Sequence, residues 1–194
     1  MDRPAQAGTS DRTISAARAT LKEARQHGRD FPERQLYHAL AIGGRQTCLD
    51  ERAIEELLEL KYGKAKTFLA LSLLYDDLDW GGTAYHIDHI IPQALVARRV
   101  LMGMNLPEHR IQDITANKDR LGNLQLLPGH ENLEKGDIPF DAWITSRSDT
   151  YRERHMISCK PDLWTARQLP EFVADRERLI RERLAKLATS ALAA

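Results

Sequence analysis

The stretch HIDHIIPQ, residues 86–93, decides the fold of this chain when it is combined with LGNLQLLPGHENLEKG, residues 121–136. The first stretch places a carboxylate, Asp88, directly before a histidine, His89, in an apolar and β-branched run. The second stretch supplies asparagine side chains. Carboxylate and amide oxygens are ligands of hard cations such as Mg²⁺, and a neutral histidine can accept a proton. Together they predict a metal ion and a general base that act on a phosphodiester.

The same two stretches predict a small β-hairpin in a mostly helical protein. Residues 85–91 alternate and are rich in β-branched side chains, and Pro92 lacks the N–H needed to continue a strand. Residues 123–127 form the second predicted strand, after which Pro128 and Gly129 turn the chain into a helix. The predicted fold is therefore mostly α, a helical domain that encloses a strand-strand-helix, or ββα, unit.

Four regions are predicted along the chain. Apolar residues at helical spacing predict helices in the first half, and carboxylates with paired glycines break that pattern near residue 80. The regions are a disordered N-terminus at 1–12, a helical region at 13–83, the ββα core at 84–140 with a helical insertion at 94–117, and a C-terminal helical region at 141–194 that packs on the core.

The C-terminal region is predicted to begin with a polar stretch after Phe140 and to end in a long helix from Pro170 onward. The apolar stripe of that helix predicts a buried face. Its arginines are expected to point to solvent: Arg176, Arg178, Arg181 and Arg183.

Composition is that of an ordinary globular protein, with 194 residues, 42% hydrophobic and 29% charged. Lys and Arg together count 28, as do Asp and Glu, so no global positive field attracts nucleic acid. DNA contacts would have to come from local patches or from a partner. Two distant cysteines predict neither a disulfide framework nor a structural zinc site, and no signal peptide or membrane span is evident. The expected location is the cytoplasm.

The motifs resemble those of a known nuclease class. DHIIP at 88–92, LGNLQLL at 121–127 and Glu131-Asn132 with Lys135 resemble the HNH, or His-Me finger, ββα-metal nucleases. A longer set resembles the C-terminal nuclease domain of GmrSD-type restriction proteins. This set comprises HIDHIIPQ, LGNLQLL, ENLEKGDIPFDAWI and YRERHMI. The likeness extends, more weakly, over residues 50–187.

The resemblance implies a role for each matched residue. His89 would be the general base, Asp88 and Asn132 would hold the metal, and Asn123 would be the middle asparagine that orders the loop. The implied cofactor is Mg²⁺, with Mn²⁺ as a substitute. The cysteine pairs that bind structural zinc in many HNH proteins are absent, so no structural zinc is expected.

The implied activity is metal-dependent nicking or cutting of DNA in a restriction or anti-phage defence system. An N-terminal NTP-binding domain usually precedes this module, and this sequence lacks it. We therefore expect either an excised domain or a protein with a separate partner. The alternative interpretation is a DNA-binding or partner-binding module whose ββα unit does not cleave and which regulates an NTPase partner.

Other polar residues near the motifs are candidates for supporting roles. His86 lies two positions before Asp88 and is either a support for the metal or phosphate or an ordinary packed or surface histidine. His130 is an alternative ligand to Asn132, and imidazole favours transition metals over Mg²⁺. Lys135 and Arg120 could touch the scissile phosphate.

A second candidate patch lies within YRERHMI. Arg152, Arg154 and His155 are predicted either to contact DNA phosphates or to form an ordinary solvated charged turn.

Overall fold

The computed structural model describes residues 9–28, 30–42, 49–79 and 81–193. Two compact units divide the chain, one up to Asp50 and one from Glu51 onward. The described chain is mostly helical and contains a two-stranded antiparallel sheet, which confirms the predicted mostly-α class with a small hairpin. Among the described residues, no helix combines the length and apolar character needed to cross a membrane.

The first unit contains helices α1 (Thr9–Gln26) and α2 (Glu33–Ile42). Gly28, with φ +60°, takes the left-handed conformation that ends a helix, as its position in the sequence predicts. Of the terminus predicted to be disordered, residues 1–8 lie outside the described residues, and α1 begins at Thr9.

The second unit carries the remaining helices and strands. They are α3 (Glu51–Leu58), α4 (Ala65–Ser72), β1 (Tyr85–His89), α5 (Arg98–Gly103), α6 (Glu108–Asn117), β2 (Leu124–Pro128), α7 (Gly129–Lys135), α8 (Phe140–Thr145), α9 (Asp149–Arg154) and α10 (Leu169–Ala193).

The hairpin pairs β1 with β2 in antiparallel register, so that Asp88 lies opposite Gln125 and His89 opposite Leu124. A single turn of 3-10 helix, Leu121–Asn123, leads into β2, and α7 follows β2 directly. Helix α10 packs against that turn so closely that a Cβ added at Gly122 would lie 2.8 Å from the Val173 side chain. The hairpin is therefore held from one side by the closing helix.

Helix α8 corrects one expectation, because the chain after Phe140 is not simply polar. Phe140, Trp143 and Ile144 are all buried in the largest apolar cluster of the unit. Their spacing places them on one face of a short helix whose other face carries the polar residues. The amphipathic pattern is too short to stand out in the sequence.

Arg176 corrects a second expectation. Its side chain was predicted to face solvent, yet Arg176 is 1% exposed. The guanidinium donates to the backbone carbonyls of Leu121, Gly122 and Leu124 through Nη1 and to that of His155 through Nε. Burial lowers the pKa of Arg176, and the hydrogen bonds of Nε and Nη1 offset part of the lost hydration, while Nη2 is buried without a partner. Arg176 therefore ties α10 to the turn that precedes β2.

Candidate active site

His89 ends β1 in a largely buried position, with 9% of its surface exposed. Its Nε2 lies 3.0 Å from Oδ1 of Asp119, and the Tyr62 ring packs against the imidazole at 4.5 Å between centroids. Burial lowers the pKa of His89, and the neighbouring carboxylates of Asp119 and Asp88 oppose that shift. The imidazole is therefore neutral at neutral pH and able to accept a proton.

Asp88 is also 9% exposed, and both of its carboxylate oxygens have partners. Gln125 donates from Nε2 to Oδ2 at 2.8 Å, and the Lys135 ammonium lies 3.0 Å from the same oxygen and 3.2 Å from Oδ1. Lys135 donates in addition to the His89 carbonyl at 2.7 Å. A buried carboxylate is stable only when it is paired in this way.

Lys135 therefore has a different position from the one expected of a phosphate contact. Its side chain is fully buried beneath Asp88, and burial lowers the pKa of its ammonium while the Asp88 charge opposes the shift. In this arrangement the ammonium cannot reach a phosphate in solvent. Its contacts instead fix Asp88 and the end of β1.

Asn123 links the two halves of the site. Its Oδ1 accepts from the Ile91 amide at 2.9 Å, while Nδ2 donates to the carbonyls of Ile91 at 3.1 Å and Lys118 at 2.8 Å. Its own backbone carbonyl accepts from the Ile90 amide. The side chain is fully buried, so all these bonds are shielded from water. Asn123 thereby fixes the backbone that follows His89.

Asn132 lies in α7 with a half-buried side chain. Together with Asp88 it offers one amide and one carboxylate oxygen, hard donors that suit Mg²⁺, a cation that usually keeps several waters. Within the parts of the chain that the structure describes, no group of three His, Cys, Asp or Glu side chains could hold a metal ion. The oxygens of Asp88 and Asn132 are therefore the donor types that would suit a sparsely coordinated hard cation.

Three of the proposed supporting residues lie outside this cluster of contacts. His86 and His130 are exposed, with the His86 imidazole close to Gly129 at the start of α7. Arg120 faces α10, where its guanidinium binds Glu177 at 2.9 Å and Glu59 at 3.4 Å. Arg120 is thus engaged in ion pairs on the side of α10.

The patch around His155 does not have the expected exposure. His155 is fully buried, with Nδ1 3.1 Å from the Tyr75 hydroxyl, and a buried imidazole cannot touch a DNA backbone. Arg154 binds Asp77 at 2.6 Å, and Arg152 pairs with Asp149 in the same helix. His155 therefore serves the interior of the protein, contrary to the predicted DNA contact.

Two residues of the site, Gln125 and Asp119, were not predicted from the sequence. Gln125, which binds Asp88, could have been found by aligning the two predicted strands, because it lies directly opposite Asp88. Asp119 binds His89 across a gap of 30 residues, from a turn with no periodic pattern. No motif or periodic pattern in the sequence points to Asp119.

A family of known proteins matches most of this chain. No curated protein matches the chain. The model of the GmrSD restriction endonuclease C-terminal domain matches residues 45–188, a range that contains every residue of the candidate site. Since the match covers well over half of the chain, this protein belongs to the family of GmrSD restriction endonuclease C-terminal domains.

Proposed function

We propose that this protein is a metal-dependent DNA endonuclease of the HNH, or His-Me finger, type, in which β1, β2 and α7 form the ββα unit. The observation that carries the proposal is the arrangement at the end of β1. A neutral, largely buried imidazole at His89 adjoins a fixed carboxylate at Asp88. These are the two groups that hydrolysis of a phosphodiester requires of the protein, a base and an anionic ligand.

The chain's own residues would perform the proton transfer. His89 takes a proton from the attacking water at its imidazole, and Asn123 holds the backbone behind it so that the base keeps its place. Asp88 and Asn132 would hold Mg²⁺, or Mn²⁺ in its place. When bound, the cation would stabilise the charge that develops on the phosphate and the leaving oxygen.

Lys135 and Gln125 act on this reaction through Asp88. Their hydrogen bonds fix the carboxylate, and the Lys135 ammonium offsets its charge. The same pairing is the one observation that favours the alternative function, a binding module that does not cleave, because both Asp88 oxygens are already engaged. A DNA-cleavage assay separates the two functions.

Recruitment of DNA would depend on a partner. The chain has a formal net charge of +0, and the arginines near the site are bound to carboxylates. Affinity for a phosphate backbone rises with the number of free cationic contacts, so the isolated chain should bind DNA weakly. We propose an NTP-binding recognition domain or a separate protein of that kind as the partner, within a restriction or anti-phage defence system.

The test is cleavage of supercoiled plasmid at low salt with Mg²⁺, Mn²⁺ or EDTA. Wild-type protein is expected to produce open-circular or linear DNA with either metal and none with EDTA. His89→Ala should reduce the rate about 1000-fold, since general base catalysis contributes roughly that factor. His109→Ala, at an exposed position of α6, is the matched control and should cut at the wild-type rate.

Two results would contradict the proposal. Near wild-type cleavage by His89→Ala would remove the general base assignment. DNA binding by the wild type without cleavage under any metal condition would instead support the binding module.

A further inference from the structure

We propose that Asp119 is the positioning residue for the general base: its carboxylate holds the proton of His89 on Nε2 and so directs the Nδ1 lone pair to the attacking water. This inference rests on the proposed function, because it assigns a partner to the base and names the nitrogen that reacts.

The contacts of Asp119 determine which imidazole nitrogen of His89 carries the hydrogen. Asp119 Oδ1 lies 3.0 Å from the imidazole Nε2 and 2.7 Å from the side-chain nitrogen of Gln93. An ionised carboxylate only accepts hydrogen bonds, so both partners must donate. The Nε2 atom of His89 therefore carries a hydrogen, and in a neutral ring Nδ1 is the basic nitrogen.

The Asp119 carboxylate, which accepts this hydrogen bond, lies in a segment that is held by backbone hydrogen bonds. The Asp119 carbonyl accepts from the Tyr62 amide at 2.8 Å, and the Leu121 amide donates to the Leu60 carbonyl at 3.0 Å. Tyr62 also packs its ring against the imidazole, tilted by 52°. One segment thus fixes both the carboxylate and the ring that it binds, which restricts rotation of the imidazole.

This arrangement supports the uptake of a proton by His89 as a general base. When Nδ1 takes a proton, the ring becomes a cation, and the adjacent carboxylate stabilises it through the charge-assisted bond at Nε2. Asp119 contacts the edge of the ring away from Nδ1, so it acts through His89 and does not touch the water. A lost carboxylate should therefore lower kcat and leave KM nearly unchanged.

The experiment compares Asp119→Asn with Asp113→Asn, the same substitution at an exposed carboxylate of α6. NMR of protein labelled with ¹⁵N-histidine reports which ring nitrogen carries hydrogen. Wild-type His89 is expected to show a protonated Nε2 with a strongly deshielded, slowly exchanging proton. Asp119→Asn should remove that signature and lower kcat roughly 100-fold, while Asp113→Asn changes neither.

His155 provides an internal reference in the same spectrum. Its Nε2 lies 3.0 Å from the Arg154 guanidinium, which can only donate, so its hydrogen belongs on Nδ1. Asp119→Glu, which keeps the charge, should restore part of the deshielded signal and part of the rate.

Two outcomes overturn the inference. One is a wild-type His89 protonated on Nδ1, and the other is an Asp119→Asn variant that is folded and keeps both the deshielded proton and the wild-type kcat. A wild type that shows the expected tautomer but never cleaves DNA contradicts the proposed function alone, because the NMR signal needs no catalysis.

Discussion

His89 and His155 are both enclosed in the second unit, and both rings bind another side chain, yet their neighbours have opposite charge. Carboxylates of Asp119 and Asp88 surround His89, whereas the guanidinium groups of Arg154 and Arg176 face His155. The expected tautomers are opposite as well. The first ring donates from Nε2 to a carboxylate, and the second accepts at Nε2 from a guanidinium.

The difference shows that burial alone does not define a histidine's role. Burial lowers the pKa of both rings. The cations beside His155 lower its pKa further, whereas the carboxylates beside His89 raise its pKa against a smaller opposing effect of Lys135. His89 can thus gain a proton during a reaction, and His155 remains neutral inside the fold. The charge of the neighbours separates a candidate catalytic group from a structural one.

The largest expected effect concerns Arg176, which contacts both regions through the carbonyls of His155 and the turn at Leu121–Asn123. Arg176→Met should lower the free energy of unfolding by about 3 kcal/mol, because several buried carbonyls lose their donor. Urea unfolding measures the change. Arg178→Met, on the exposed face of the same helix, is the control and should cost less than about 1 kcal/mol. Equal losses of unfolding free energy in the two variants would show that the buried guanidinium does not stabilise the fold through these hydrogen bonds.

The second prediction concerns acid and His155. The folded pKa lies well below 6.5, so the unfolded chain binds a proton that the folded chain does not. The stability from this residue is complete above the unfolded pKa and is lost as the pH falls below it, at about 1.4 kcal/mol per unit. Between pH 7 and pH 5 the loss should reach about 2 kcal/mol in urea unfolding.

The control for the acid prediction is His155→Asn, which keeps a hydrogen-bonding side chain but cannot titrate. Its unfolding free energy should fall less steeply over the same pH range, with the remaining slope due in part to His89, whose pKa is also lowered. Identical slopes for the variant and the wild type would exclude His155 as a source of the pH dependence.

The smallest expected effect comes from Asp77, the exposed partner of Arg154 beside His155. Asp77→Asn should cost about 0.5 kcal/mol, because a solvent-exposed ion pair is screened and offsets little of its side-chain entropy. Unfolding curves at low and high salt test this, since the difference between variant and wild type should shrink with salt. A loss above about 2 kcal/mol would mean that Arg154 needs Asp77 to keep the His155 region intact.

The local parts of the fold were predictable. Period-2 alternation marks β1, Pro92 marks its end, and the long apolar stripe marks α10, because these signals depend on neighbouring residues. The asparagine that joins the two halves of the hairpin was also expected, both from its position just before the second strand and from the resemblance to a nuclease family.

The tertiary parts were not predictable from pattern. Asp119 meets His89 only when the turn after α6 folds against residues 60–62, and no spacing records that contact. Charged and polar residues usually face water, but Arg176 and His155 are buried. Backbone carbonyls bind Arg176 in the interior, and the Tyr75 hydroxyl binds His155. Contacts of this kind are apparent only in the folded structure.

The contacts of Arg176 also set an order of events during synthesis. The hairpin leaves the ribosome before α10, and until α10 docks, the carbonyls of Leu121 and Gly122 lack their donor. The bonds of Asn123 to Ile91 and Lys118 hold this turn locally, and the closing helix adds the donor that the carbonyls lack. If the protein cleaves DNA as proposed, cleavage should depend on the docking of α10 against this turn, although no residue of α10 belongs to the candidate site.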